Sequence, residues 1–102
     1  MGLSIYTSES RNTGMSFEIS YDLIEQLESA FDNYGERHGS PIDYYGTTKI
    51  YSESIPSLLS DCLRELAKAP IYSLQASETL DFCVFLSDCL VDKIPILYIE
   101  GD

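Results

Sequence analysis

Histidine, cysteine and carboxylate side chains are the residues here from which an enzyme active site or a metal centre could be built. The chain has one histidine, His38, which lies beside Gly39 in a segment rich in turn formers. A zinc site needs three or four ligands at characteristic spacing, and a single histidine cannot supply them. Neither a nucleophile elbow nor a glycine-rich phosphate loop is present. We therefore predict a protein without catalytic residues, metal or cofactor, and expect His38 to be solvated.

Three cysteines, Cys62, Cys83 and Cys89, form an odd set without the C-x-x-C spacing of redox and zinc motifs. Secreted domains of this size usually carry an even and denser set of cysteines. No basic residue flanks these thiols to lower a pKa. We interpret all three as reduced thiols, and the protein as cytoplasmic.

Acidic residues dominate the charge of the chain. Its 102 residues include 17 acidic and 6 basic ones, for a formal net charge of −11. Because each phosphate contact requires lysine or arginine, this balance disfavours nucleic acid and anionic membranes as partners. A basic protein is the partner that the charge favours.

The acidic residues are clustered in the first predicted helix. On a helical wheel four of them share an arc of about 120° that lies opposite the apolar residues. They are Asp22, Glu25, Glu28 and Asp32. No lysine or arginine lies within this helix, so we predict that these carboxylates bind the basic partner; the alternative is an ordinary solvated face.

A second candidate surface lies on the third predicted helix. Asp81, Phe85, Asp88 and Asp92 follow the i, i+4, i+7, i+11 spacing of one helix face. An aromatic side chain ringed by carboxylates is typical of an interface anchor with a charged rim. The alternative is that Phe85 packs beneath a loop of the same domain.

A third candidate is the tyrosine pair of the central loop. Tyr44 and Tyr45 follow Asp43 in a segment rich in glycine and proline. Tyrosine is enriched at recognition surfaces. We expect this pair to be exposed and add Asp43, Tyr44 and Tyr45 to the predicted partner-binding residues.

The elements that must position these residues follow from changes in hydrophobic period. Segments 3–7 and 15–21 predict a β-hairpin, the second by strict alternation of apolar and polar residues. Three helices follow, over 22–34 with Gly35 as the stop, over 54–69 before Pro70, and over 76–92. We expect the third helix to be covered on most sides, because its apolar arc is wide.

A third strand at 47–52 and a buried strand at 96–99 complete the predicted elements. This order predicts one domain, 1–102, of the α+β class, with three helices packed on a small and mostly antiparallel sheet. A mainly helical bundle with a marginal hairpin is the alternative. The oligomeric state is left open.

The first third of the chain resembles the bacterial toxin-immunity proteins of contact-dependent growth inhibition and polymorphic toxin systems. The segments MGLSIYTSES and MSFEISYDLIEQLESAF are similar to theirs in the order of strand, turn, strand and amphipathic helix. The resemblance implies a stoichiometric inhibitor of a toxin, often a nuclease with a basic cleft, and carries over no functional residue. Two other functions stay open, an acidic DNA mimic that blocks a DNA-binding protein and a small secretion chaperone or regulatory subunit.

Overall fold

A computed structural model describes residues 2–8 and 14–101, and most of the turn predicted at 8–14 lies outside these residues. The elements are four strands and three helices, with a short 3-10 turn at Ser52–Ser54. The strands are β1 Leu3–Tyr6, β2 Ser16–Ile19, β3 Thr47–Tyr51 and β4 Ile96–Gly101. The helices are α1 Tyr21–His38, α2 Ile55–Lys68 and α3 Leu74–Val91. The predicted α+β class is confirmed.

The four strands form one antiparallel sheet in the order β2-β1-β4-β3. The N-terminal hairpin and the third strand are therefore confirmed. The C-terminal strand β4 lies between β1 and β3, which explains its apolar sequence. Ile5 of β1 stands opposite both Phe17 of β2 and Ile99 of β4, so apolar residues from three strands share one face of the sheet.

The hydrophobic core lies against that face of the sheet. Leu3, Ile5, Leu97 and Ile99 are fully buried, whereas the residues between them are half-buried, as the period of two requires. Helical residues such as Phe31, Leu58 and Phe82 belong to the same apolar cluster. The hydrophobic effect of burying this cluster holds helices and sheet together.

Helix α1 begins where the alternating pattern of β2 ends. Its Ser20 cap accepts a hydrogen bond from the Leu23 amide at 3.2 Å. The helix continues past Gly35 and ends at Gly39, which adopts the left-handed conformation with φ 65°. The predicted stop at Gly35 is wrong. Gly35 lies inside the helix, and the close approach of Pro41 explains why this residue is glycine, since a Cβ there would lie 2.9 Å from the Pro41 Cα.

A buried carboxylate joins α1 to α2. The Asp61 side chain is completely buried and accepts hydrogen bonds from Arg37 at the end of α1 and from Arg64 on α2. The Arg64 contact is 2.7 Å long. Charge-assisted bonds of this kind are stronger than neutral ones and offset the cost of burying the carboxylate.

Helix α3 is less covered than its sequence predicts. Phe82, Leu86 and Cys89 are fully buried, but Leu80 and Val84 remain about half exposed and Val91 more so. The expectation of a helix covered on most sides is therefore wrong. Among the described residues, no helix combines the length and the hydropathy that crossing a bilayer requires.

Candidate functional site

Four carboxylates form the acidic face of α1, which we define as Asp22, Glu25, Glu28 and Asp32. All four residues are exposed. At about 1.5 Å of rise per residue, the face is about 15 Å long, which fits within one side of a standard protein interface. The structure thus places these predicted residues on one accessible surface.

The expectation that the first helix contains no lysine or arginine is wrong, because α1 extends to His38 and includes Arg37. This arginine and the bases of α2 are engaged elsewhere. Arg37 and Arg64 both bind Asp61, and Lys68 binds Glu65 of its own helix at 3.1 Å. Within the described part of the chain, no ion pair joins a base to the acidic face of α1. The negative charge of this face is therefore available to an outside partner.

The loop before β3 is held in place by Asp43. Its backbone amide donates to the Thr48 hydroxyl at 2.8 Å, and its carboxylate accepts from the Tyr45 amide at 2.9 Å. The local side-chain turn and the bond to Thr48 of β3 together fix the loop. Asp43 was predicted to bind a partner, and the structure gives it a positioning role within the loop. Tyr45, whose side chain this turn presents, is 74% exposed.

Tyr44 connects the loop to α1. Its ring centroid lies 6.5 Å from that of Phe31, and its hydroxyl oxygen is buried without a hydrogen-bond partner among the described residues. Burial raises the pKa of Tyr44, and the nearby carboxylates of Asp32 and Glu28 raise it further. The phenol therefore stays protonated and can donate a hydrogen bond. Tyr44 is half-buried, so the predicted exposure holds for Tyr45 alone.

Between this loop and α1 lies a groove of about 320 Å³, the tyrosine groove. It brings together Glu25 and Glu28 of the acidic face with Tyr44 and Tyr45, which the sequence predicted as a separate candidate surface. Its lining residues are Gly2, Leu3, Tyr21, Ile24, Glu25, Glu28, Tyr44 and Tyr45. Carboxylates beside aromatic rings can bind an arginine or lysine side chain through ion pairs and cation–π contacts.

The predicted site on α3 has no exposed aromatic residue at its centre. Asp81, Asp88 and Asp92 are exposed as expected, but Phe85 is only 8% exposed. Its ring packs 5.3 Å from the ring of Phe17 on β2. The hypothesis of an exposed anchor at Phe85 is therefore wrong, because the hairpin strand covers the side of α3 on which Phe85 lies.

The three thiols are all free and buried, as predicted. Burial raises the pKa of Cys62 and Cys83 and, with Asp88 and Asp92 nearby, raises that of Cys89 to about 11. Protonated and buried thiols of this kind are poor nucleophiles. His38 is exposed, and its Nε2 lies 3.0 Å from the Ser57 hydroxyl. The described residues contain no group of three potential metal ligands.

A second groove, of about 450 Å³, adjoins the acidic face on its other side and was not predicted. This α1–α3 groove is lined by Asp22, Leu23, Glu25, Gln26, Leu74, Gln75 and Glu78. Beside it lies an apolar turn, Ile71, Tyr72 and Leu74, whose side chains are all strongly exposed. The available signal was the pair of apolar residues directly after Pro70, Ile71 and Tyr72, where a turn usually carries polar residues.

The acidic face of α1 thus separates two grooves, and Glu25 lines both of them. One groove is walled by tyrosines and the other by Leu74 of the apolar turn. Comparison of the chain with protein-family models, with curated proteins and with solved structures finds no match.

Proposed function

We propose that this chain is an immunity protein, a stoichiometric inhibitor that binds and neutralises a basic toxin domain, in particular a nuclease domain. The observation that carries the proposal is the acidic face of α1. All four of its carboxylates are exposed, and two of them, Glu25 and Glu28, line a groove together with Tyr44 and Tyr45. Among the described residues, no ion pair joins a base to these carboxylates. The resemblance of the first third of the chain to toxin-immunity proteins supports the same function.

The proposed inhibition is electrostatic. A nuclease cleft built for phosphate is positively charged, and a row of carboxylates can occupy it in place of the substrate. Glu25 and Glu28 would pair with lysine or arginine residues of the cleft. Tyr45 would cover the aliphatic stems of those cationic side chains. Clustered charge also accelerates capture, since steering raises association rates by about 10- to 1,000-fold.

On this proposal the chain acts without catalysis, metal or cofactor, and it acts in the cytoplasm, where the toxin would otherwise do damage. The three buried free thiols support a reducing compartment. The high pKa values of these thiols argue against a cysteine nucleophile.

The experiment is affinity capture from native lysate, with mass spectrometry of the eluate. We expect a basic protein in 1:1 complex, whose enzymatic activity the purified chain abolishes. The Glu25→Lys/Glu28→Lys variant should lose this partner. The matched Asp88→Lys/Asp92→Lys variant carries the same change of charge on α3 and should retain it.

The proposal fails if wild type captures no basic protein, or if the α3 variant loses the partner while the α1 variant keeps it. Capture of a DNA-binding protein that is not a toxin would favour the acidic DNA mimic instead. Circular dichroism of both variants checks that the exposed substitutions leave the fold intact.

A further inference from the structure

The apolar turn, which joins α2 to the first residue of α3, exposes more apolar surface than folding requires. Ile71 is 83% exposed, Tyr72 is 101% exposed and Leu74 is 70% exposed. Three side chains of this size present on the order of 400 Å² to solvent, which is the size of the largest patch on a typical monomer and is often functional. Turns of this kind usually carry polar residues, glycine or proline.

Backbone geometry gives no structural reason for a tyrosine in this turn. Tyr72 has φ 64°, in the left-handed region that is unfavourable for a bulky side chain and accessible to glycine without cost. Its ring is fully exposed, so no packing offsets the unfavourable backbone. The side chain is therefore better explained by a contact outside the chain.

The apolar turn adjoins the α1–α3 groove through Leu74, which belongs to both. The groove also contains the carboxylates of Asp22, Glu25 and Glu78. The Ser20 hydroxyl lies 3.4 Å from Glu78 Oε2, so the start of α1 meets the first turns of α3 there. An aliphatic wall with carboxylates around it matches a side chain that is apolar along its stem and cationic at its end.

The helix dipoles do not reverse the preference of this groove for a cationic side chain. The N-termini of α1 and α3 both lie at the groove, and each contributes about +0.5 of a charge. Three carboxylates outweigh the two dipoles, which leaves about two negative charges in the groove. An arginine or lysine side chain is therefore favoured there over an anion.

We propose that the apolar turn is the anchor of the interface, and that it binds a partner segment in which an aliphatic residue lies beside an arginine or lysine. The aliphatic residue packs against Ile71 and Tyr72, while the cationic side chain lies along Leu74 and reaches Asp22 and Glu25. This inference rests on the proposed function, because that function supplies the positive charge of the partner. It replaces Phe85 by the apolar turn as the hydrophobic part of the site.

The test uses a defined probe, a synthetic amphipathic helical peptide of leucine and arginine with all leucines on one face. A control peptide has the same composition with the leucines spread around the helix. A second control has glutamate in place of arginine. Titration into ¹⁵N-labelled protein at low salt should give saturable amide shifts at Ile71, Leu74 and Glu25 with the amphipathic cationic peptide. Both controls should bind at least fivefold more weakly.

Matched variants locate the anchor. Ile71→Ser/Leu74→Ser should weaken binding of the cationic peptide at least tenfold. Val91→Ser removes an apolar residue that is 78% exposed at the other end of α3, and it should leave the affinity within twofold of wild type. Tyr72→Gly should weaken binding at least threefold without lowering the melting temperature, because glycine relieves the unfavourable φ.

Equal affinity for the two arginine peptides, no effect of Ile71→Ser/Leu74→Ser, or an equal loss in Val91→Ser would each overturn the anchor. Failure of the proposed function has a different result, since affinity capture would then yield no basic protein while the peptide still bound the apolar turn. A basic partner that is retained fully by Ile71→Ser/Leu74→Ser leaves the function intact and removes the anchor.

Discussion

Removal of the charge of Asp61 is the perturbation whose cost the structure defines best. The Asp61 side chain has no exposed surface, and it bridges Arg37 and Arg64, whose side chains are 44% and 61% exposed. The Asp61→Asn substitution keeps the shape of the side chain and removes the charge that both guanidinium groups bind. Neither helix contains another described carboxylate in contact with these arginines.

The magnitude follows from the exposure of the partners. Breaking a fully buried ion pair costs about 3–5 kcal/mol, because one charge is left buried without compensation. Here the two arginines that remain can be hydrated, and the amide oxygen of the new side chain can still accept a hydrogen bond. The cost therefore lies between that range and the loss of a single charged hydrogen bond, about 1.5–3 kcal/mol. We expect a loss of about 2–4 kcal/mol in the free energy of unfolding, out of a total of about 5–15 kcal/mol for such a domain.

Urea denaturation followed by circular dichroism measures this loss, with the m-value checked for two-state behaviour. The control is Glu36→Gln, which makes the same change of carboxylate to amide at an exposed position near the same end of α1 and should change stability by less than about 1 kcal/mol. A loss below about 1 kcal/mol for Asp61→Asn would refute the buried bridge between α1 and α2.

Further predictions concern the core and the thiols. Phe85→Ala should lower the free energy of unfolding by about 3–5 kcal/mol, while the half-exposed neighbour Val84→Ala costs about 1 kcal/mol or less; an unchanged melting temperature for Phe85→Ala would mean that Phe85 is not buried. Thiol titration should find few reactive groups in native buffer and three in denaturant, and a single group in denaturant would reveal a disulfide. Stability should fall as the pH rises from about 9 towards 11, because the unfolded thiols ionise first while burial raises the pKa of Cys89 to about 11. The Cys89→Ala variant should show a shallower fall in chemical denaturation, and an unchanged slope would contradict this assignment.

Periodicity predicted the elements well, since each of them buries one face. The alternation of β2 and the apolar arcs of α1 and α2 are direct consequences of that burial. The stop of α1 was misplaced because its last turn, Glu36 to His38, is exposed and carries no apolar residue to extend the pattern. Gly35 then resembled a helix terminus, although it is the contact point for Pro41.

The candidate site could be predicted only in part, for a related reason. A helical wheel shows which residues of α1 share a face, and Asp22, Glu25, Glu28 and Asp32 do share one. It cannot show what covers a face, and the cover of Phe85 comes from Phe17, which lies 68 positions earlier in the chain. The apolar turn carries no helical or strand period that could reveal it, because Ile71 and Tyr72 lie between two helices.

The central claim is that the acidic face of α1 captures a basic partner, and the salt dependence of the association rate tests it most directly. Surface plasmon resonance would compare wild type with Glu25→Lys/Glu28→Lys/Asp32→Lys on the captured partner, between about 0.05 and 1 M salt. We expect the variant to associate at least severalfold more slowly at low salt, and the two rates to converge as the screening length falls towards about 3 Å. Association rates that are equal for the two proteins and indifferent to ionic strength would contradict the account and leave the acidic face as a solvated surface.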